Sequence, residues 1–134
     1  MREYARSQTA ILLRRLAFQV SRAARSGKDA EAIHDLRVAV RRLSRCLRVF
    51  AEFYPGDAWK KMRKELRRLM RSAGRVRDRD IVLALIAEAG VGRHSAFAAR
   101  LEAERKQAAR DLQLETRRWE RAGFSRKWRG ALEL

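Results

Sequence analysis

The chain has 134 residues, of which 46% are hydrophobic and 37% charged, and it carries a formal net charge of +17 at pH 7. This length predicts a single domain over residues 1–134, and the regular apolar positions exclude a disordered basic tail. The strong positive charge excludes the surface of an ordinary metabolic enzyme and indicates a polyanionic partner. Cys46 is the only cysteine, which excludes an intrachain disulfide and favours a reducing compartment.

The spacing of apolar residues predicts helices from the start of the chain, and no stretch shows the alternation of a strand. The first predicted helix covers about residues 4–25. The second follows a cap at Ser26 or Asp29 and continues to about Phe53, and the third covers about residues 58–73 and is ended by Gly74. The turn between these two, at residues 54–57, is short enough to predict an antiparallel helical hairpin.

The segment Arg77-Asp78-Arg79-Asp80 is predicted to open a short apolar helix over about residues 81–89, because carboxylates favour a helix N-terminus. A long fifth helix follows at about residues 95–121, and then a short amphipathic tail. The predicted fold is therefore all-α, an antiparallel bundle of about four core helices with the long fifth helix and a short C-terminal helix. Residues 93–134 also carry a sparse apolar stripe, which predicts a homodimer contact formed by Phe97, Leu101, Leu112, Trp119, Phe124, Trp128 and Leu132.

Cations are concentrated on the predicted hairpin of the second and third helices. Of the 33 Lys and Arg residues, 15 lie between residues 37 and 79, where only four acids oppose them. Many recur every three or four residues, and at about 100° per helical residue they occupy one basic arc on each helix. Each arc lies about 130° from the apolar arc of its helix in the same rotational sense, so the two either converge on one groove or diverge to opposite flanks. The first arc comprises His34, Arg37, Arg41, Arg45 and Arg48, and the second comprises Lys60, Arg63, Lys64, Arg67 and Arg71.

The arcs favour a phosphate-rich ligand over a merely solvated face. Solvated faces usually alternate in sign, whereas these arcs lack compensating acids. Arginine supplies 27 of the 33 cations, and its planar fork matches pairs of phosphate oxygens. Base-specific recognition is not indicated, because the chain has no asparagine and its glutamines lie outside the hairpin. A polyphosphate chain and nucleic acid bound without sequence recognition both remain open as partners.

Residue patterns for catalysis or metal binding are sparse. His34, His94 and Cys46 lack the spacing of a zinc site, and no phosphate-cradling glycine loop is present. Asp78 and Asp80 are interpreted as capping and arginine-pairing residues in preference to acid–base groups or Mg²⁺ ligands. No catalytic residue, metal or cofactor is predicted. The chain also lacks an apolar stretch of membrane-spanning length and a secretory leader, so we expect no membrane association and a cytoplasmic location.

The basic hairpin also carries a family resemblance. The run HDLRVAVRRL at residues 34–43 resembles the signature of CHAD domains, the conserved histidine α-helical domains, and GRVRDRDIVL at residues 74–83 is similar to that family's second motif. The resemblance implies an all-helical domain that binds inorganic polyphosphate without catalysis of its own, in proteins linked to polyphosphate metabolism or granules. Carried over by position, it implies these phosphate ligands: His34, Arg37, Arg41, Arg42, Arg45, Lys60, Lys64, Arg67, Arg71 and Arg77.

Two departures from the family pattern affect these expectations. Ser44 stands where family members often have a basic residue, which weakens that turn unless Arg45 substitutes. The likeness is strongest over residues 8–89, whereas the family's domain usually contains two similar helical halves. We therefore expect a half-length member, either a short or truncated form or one whose two copies associate to rebuild the domain.

Overall fold

The computed structural model describes all 134 residues and contains five α-helices and no strand. A 3₁₀ turn at Ala51–Phe53 joins the second helix to the third. The predicted all-α class is confirmed. The helices are α1 (Arg2–Arg25), α2 (Ala30–Val49), α3 (Ala58–Glu88), α4 (Ala96–Ala122) and α5 (Phe124–Ala131).

Side-chain caps fix where two of the helices begin. The Asp29 carboxylate accepts a hydrogen bond of 3.0 Å from the backbone N–H of Glu31 and so begins α2, one of the two caps that the sequence predicts. The Ser95 hydroxyl accepts one of 3.1 Å from the N–H of Ala98 and begins α4. Gly123 has φ 64° and ends α4 in the left-handed conformation that glycine tolerates best.

The first four helices form an antiparallel bundle in which each helix packs on the next and α4 closes the ring against α1. The short α5 folds back onto α1 and α4. Apolar residues from all five helices and from the final residues of the chain form one core. Its largest fully buried side chains include Leu13, Leu16, Ile33, Leu36, Leu43, Leu47, Leu66, Leu69, Leu112 and Leu132.

A cluster of polar side chains closes the end of the bundle at the α2–α3 connection. The Tyr54 hydroxyl lies 2.6 Å from Thr9 Oγ1, which in turn donates to the carbonyl of Ala5. Burial raises the pKa of Tyr54 well above its usual value. Tyr54 also lies beside Cys46 at the end of α2, so this contact holds the connection against α1. The second helix stops at Val49 and gives way to the 3₁₀ turn, whereas the sequence predicts that it reaches Phe53.

The third helix corrects the sequence prediction most clearly. Gly74 lies inside α3, and the separate helix predicted over residues 81–89 is the last part of α3. Gly74 does not have a positive φ. A glycine inside a helix lowers stability by only about 1 kcal/mol relative to alanine. The burial of Ala73 and Val76 on either side outweighs that cost. Asp78 and Asp80 are consequently not caps, and Asp80 pairs across to Arg105 of α4.

The ends of α3 and α4 extend beyond the other two helices. Arg105 of α4 joins Asp80 of α3 and also donates a hydrogen bond of 2.9 Å to the carbonyl of Lys28, in the turn between α1 and α2. Residues 81–104 therefore lie past the level of that turn and form what we call the α3–α4 extension. The extension carries two cations, Arg93 and Arg100, and three acids. It is the weakly charged end of a strongly basic molecule.

The core accommodates most of the apolar stripe that the sequence assigns to a dimer contact. Leu112, Phe124, Trp128 and Leu132 are buried. Trp119 packs edge to face against Phe124 and Trp128, with ring centroids 4.9 and 5.4 Å apart. The premise that these side chains need a second copy to cover them is therefore wrong. Of the predicted dimer residues, only Phe97 is largely exposed to solvent.

Candidate functional site

The two basic arcs converge on one side of the bundle. Antiparallel packing of α2 against α3 brings Arg63 Nε to 3.3 Å from Ser44 Oγ, to which it donates a hydrogen bond. The same interface forms a shallow groove of about 170 Å³, which we call the α2–α3 groove. It is lined by Val40, Arg41, Ser44, Arg45, Leu66, Arg67 and Met70. Of the two arrangements left open by the sequence, the structure has the convergent one.

Cations at this interface repel one another. Burial, together with the neighbouring charges of Arg67 and Arg48, lowers the pKa of Arg63. Arg48 lies on α2 and Arg67 on α3, so Arg63 is repelled by cations of both arcs. None of the residues lining the α2–α3 groove is acidic, which leaves this charge without a carboxylate inside the groove. An anion bound here would be attracted by several guanidinium groups together.

The cations of the two arcs are free of ion pairs. The protein's salt bridges involve other residues: Arg6 with Glu133, Arg22 with Asp29 and Asp35, Arg79 with Glu104, and Arg105 with Asp80. The five acids that form these salt bridges are therefore paired with cations outside the two arcs. Such an arrangement is typical of a surface that binds a polyanion.

A comparison with known protein families identifies the family to which the chain belongs. A family model described as the CHAD domain matches residues 9–133. The chain belongs to the CHAD family. The match continues through α4 and α5, well beyond the region of residues 8–89 in which the motifs are strongest. No significant match was found among proteins of curated function or among solved structures.

Most of the predicted ligands of this CHAD domain are accessible to solvent, although few of them line the groove. Arg37, Arg63 and Arg77 are half-buried. Arg37 Nε is buried without a hydrogen-bond partner, and Lys60 lies 5.7 Å from the centroid of the Trp59 ring. Those exposed to solvent are His34, Arg41, Arg42, Arg45, Arg48, Lys60, Lys64, Arg67 and Arg71. Within the α2–α3 groove itself the structure brings together Arg41, Arg45 and Arg67, with Arg63 at its edge.

Arg42 does not join that group. It lies on the opposite flank of α2, where it lines a second groove together with Arg14 and Arg15 of α1. The helical period explains the separation, because consecutive residues on a helix differ by about 100° and Arg41 already faces α3. The contribution of α1 is missed by sequence reasoning based on the hairpin alone. The adjacent pair Arg14-Arg15 is the signal that could have found it.

The structure brings together no group of three or more His, Cys, Asp or Glu residues that could hold a metal ion. No helix combines the length and apolarity that a membrane crossing requires. What this CHAD domain offers chemically is a set of closely spaced guanidinium donors, which can bind phosphate oxygens.

Proposed function

We propose that this CHAD domain binds inorganic polyphosphate without transforming it, and that the α2–α3 groove is the centre of the binding surface. CHAD domains are associated with polyphosphate binding and often occur with triphosphatase partners. The observation that carries the proposal is the convergence of Arg41, Arg45, Arg63 and Arg67 from two helices on one interface that contains no acid.

The chemistry of the groove suits a ligand made of phosphate groups alone. Each guanidinium group can bind two phosphate oxygens. Once one arginine has bound a flexible phosphate chain, the other phosphates of that chain are at a high effective concentration near the remaining arginines, which raises the overall affinity. The groove offers no asparagine or glutamine that would read a base edge and no aromatic platform on which a base would stack. A polymer of repeating phosphates can use each of the arginines in this groove.

The other cations of the arcs extend the proposed surface along the two helices. A polyphosphate chain that leaves the groove would meet further ligands on either side, and His34 would contribute hydrogen-bond donors there. We expect the protein to be cytoplasmic and to associate with polyphosphate granules where these form. The proposed flanking ligands are His34, Arg37, Arg48, Lys60, Lys64, Arg71 and Arg77.

Charge reversal tests the location of the surface. Arg45→Glu and Arg67→Glu should each weaken polyphosphate binding about tenfold or more, because each removes a charge-assisted contact and adds repulsion. Arg117→Glu is the matched control, since Arg117 is an exposed arginine on α4 that forms none of the protein's salt bridges. Isothermal titration at fixed salt measures all three. Equal losses for the three variants would contradict the assignment to the α2–α3 groove.

The second candidate is a protein that binds nucleic acid without sequence recognition, which the net charge of +17 favours. Competition separates the two candidates. At matched phosphate concentration and fixed salt, long-chain polyphosphate should displace bound duplex DNA far more effectively than DNA displaces polyphosphate. Equal displacement would favour the nucleic-acid binder. Sustained release of orthophosphate from polyphosphate in the presence of Mg²⁺ would instead show catalysis and overturn the non-enzymatic proposal.

A further inference from the structure

A large groove lies between α1 and α2, on the flank of α2 away from the α2–α3 groove. This open groove has a volume of about 640 Å³, within the range of small-molecule sites. Three arginines contribute to its lining, Arg14 and Arg15 from α1 and Arg42 from α2, and none of them has an ion-pair partner. We call this feature the α1–α2 groove.

Both grooves have apolar residues in their lining, but the α1–α2 groove differs in chemistry because one of its apolar residues is an exposed aromatic ring. Its apolar residues are Ile11, Leu12, Phe18, Val38 and Ala39. Phe18 leaves 61% of its surface exposed and belongs to no aromatic pair, so its ring is available to a ligand. A ligand that fills this groove must therefore present an apolar or aromatic part beside its negative charge.

Hydrogen-bond acceptors in the same lining narrow the class of ligand further. Gln19 Oε1 is buried and has no hydrogen-bond partner, a state that costs free energy until a donor reaches it. Asp35 also lines the groove, and one of its oxygens is already held by Arg22 at 2.7 Å. An acyl chain has no donor to satisfy Gln19, and an inorganic phosphate chain has neither a donor nor an apolar part. A nucleobase supplies both a flat ring and N–H donors.

We infer that the α1–α2 groove is a second ligand site, which binds a nucleoside polyphosphate. In this arrangement the base packs against Phe18 and the apolar lining, an N–H group of the base donates to Gln19, and the phosphates contact Arg14, Arg15 and Arg42. The site does not depend on polyphosphate binding at the α2–α3 groove. It would let the same protein bind a free nucleotide on one flank of α2 and a phosphate polymer on the other.

The test compares three probes by isothermal titration with the full chain: ATP, inorganic tripolyphosphate and adenosine. ATP and tripolyphosphate each carry three phosphates, so the difference between them reports on the base. We expect ATP to bind at least about fivefold more tightly than tripolyphosphate, the lower end of what stacking of a base on an aromatic side chain contributes. Adenosine, which lacks the phosphates, should bind much more weakly than ATP.

Two variants locate the site. Phe18→Ala should reduce ATP affinity to that of tripolyphosphate and leave tripolyphosphate binding unchanged, and Arg15→Gln should weaken ATP binding in the same range. Phe18 and Arg15 are exposed, so both variants should fold, which circular dichroism would verify. Arg67→Gln is the matched control in the α2–α3 groove and should lower affinity for long polyphosphate without changing that for ATP.

Equal affinities for ATP and tripolyphosphate in the wild-type protein, or an ATP affinity insensitive to Phe18→Ala, would overturn the inference. Binding to phosphatidylglycerol vesicles that Phe18→Ala abolishes, with no measurable binding of ATP, would assign the groove to an anionic lipid instead and would likewise overturn it. None of these outcomes bears on polyphosphate binding at the α2–α3 groove, which the Arg45 and Arg67 variants test separately.

Discussion

Arg63 is the residue at which the demands of folding and of ligand binding oppose each other. It is half-buried between α2 and α3, its pKa is lowered by burial and by Arg67 and Arg48, and Ser44 is its only side-chain partner. A neutral side chain there would relieve the repulsion. A positive charge that is disfavoured by burial and by its neighbours makes physical sense at this position if a bound anion neutralises it.

We therefore expect Arg63→Met to raise the free energy of unfolding of the ligand-free protein by about 0.5 kcal/mol at low salt while weakening polyphosphate binding. Arg68→Met is the control on the same helix, because Arg68 shares its groove with the acids Glu65 and Glu115 and should gain nothing from neutralisation. Thermal denaturation with and without polyphosphate measures both effects. A less stable ligand-free Arg63→Met protein would show that Arg63 has a structural role instead.

At the scale of the element, the continuity of α3 determines the shape of the molecule. A glycine, two Arg-Asp pairs and then an apolar run look like the end of one helix and the capped start of another. The structure keeps one helix of 31 residues, because Asp80 pairs with Arg105 and Arg79 with Glu104 along the side of α4. Tertiary contacts therefore override a local signal worth about 1 kcal/mol.

Replacement of Gly74 by alanine tests this reading of α3. A Cβ atom at Gly74 would meet nothing within 4 Å, and Gly74→Ala should raise the free energy of unfolding by about 0.5–1 kcal/mol. Gly123→Ala is the opposite case. Gly123 has φ 64°, which alanine adopts only with strain, so this variant should have a lower free energy of unfolding. Chemical denaturation compares the two. A destabilised Gly74→Ala variant would indicate a break in α3 at that position.

The sequence predicts the elements of this fold better than their mutual arrangement. The all-α class, the Asp29 cap and the hairpin of the two basic helices follow from patterns within single segments. Convergence of the arcs could not be predicted, because it depends on the hand with which α3 packs beside α2. The distribution of arginines between two grooves likewise needed the position of α1, which brings Arg14 and Arg15 opposite Arg42.

At the scale of the whole molecule, apolar exposure and charge are distributed unequally. The α3–α4 extension leaves Ile81, Leu85, Val91 and Phe97 exposed by 39–58%, and it carries almost no net charge. The rest of the protein is strongly basic and would repel a second copy. If two copies associate, the extension is the surface where apolar side chains can come into contact with the least electrostatic repulsion between the copies.

The homodimer stays a prediction, and the extension is where we now expect its contact. Light scattering at moderate and high salt should give a mass near twice 15.6 kDa. The dimeric fraction should be larger at high salt, where the repulsion between the two copies is screened. Leu85→Glu should abolish the dimer, whereas Leu114→Glu, at a similarly exposed apolar residue in the C-terminal half of α4 and outside the extension, should not. A 15.6 kDa particle at both salt concentrations, with and without polyphosphate, would exclude self-association.

The uneven charge of the α3–α4 extension and the rest of the bundle places the centre of positive charge away from the extension, which gives the protein an electric dipole. Near a polyanion such a dipole experiences a torque before any contact forms, so the basic end turns toward the phosphates and the extension, reaching about 12 Å past the α1–α2 turn, points away. At low ionic strength this reorientation should increase the fraction of collisions between the protein and a polyanion that lead to binding. A protein oriented in this way would keep its least charged segment farthest from the phosphates as it approaches them.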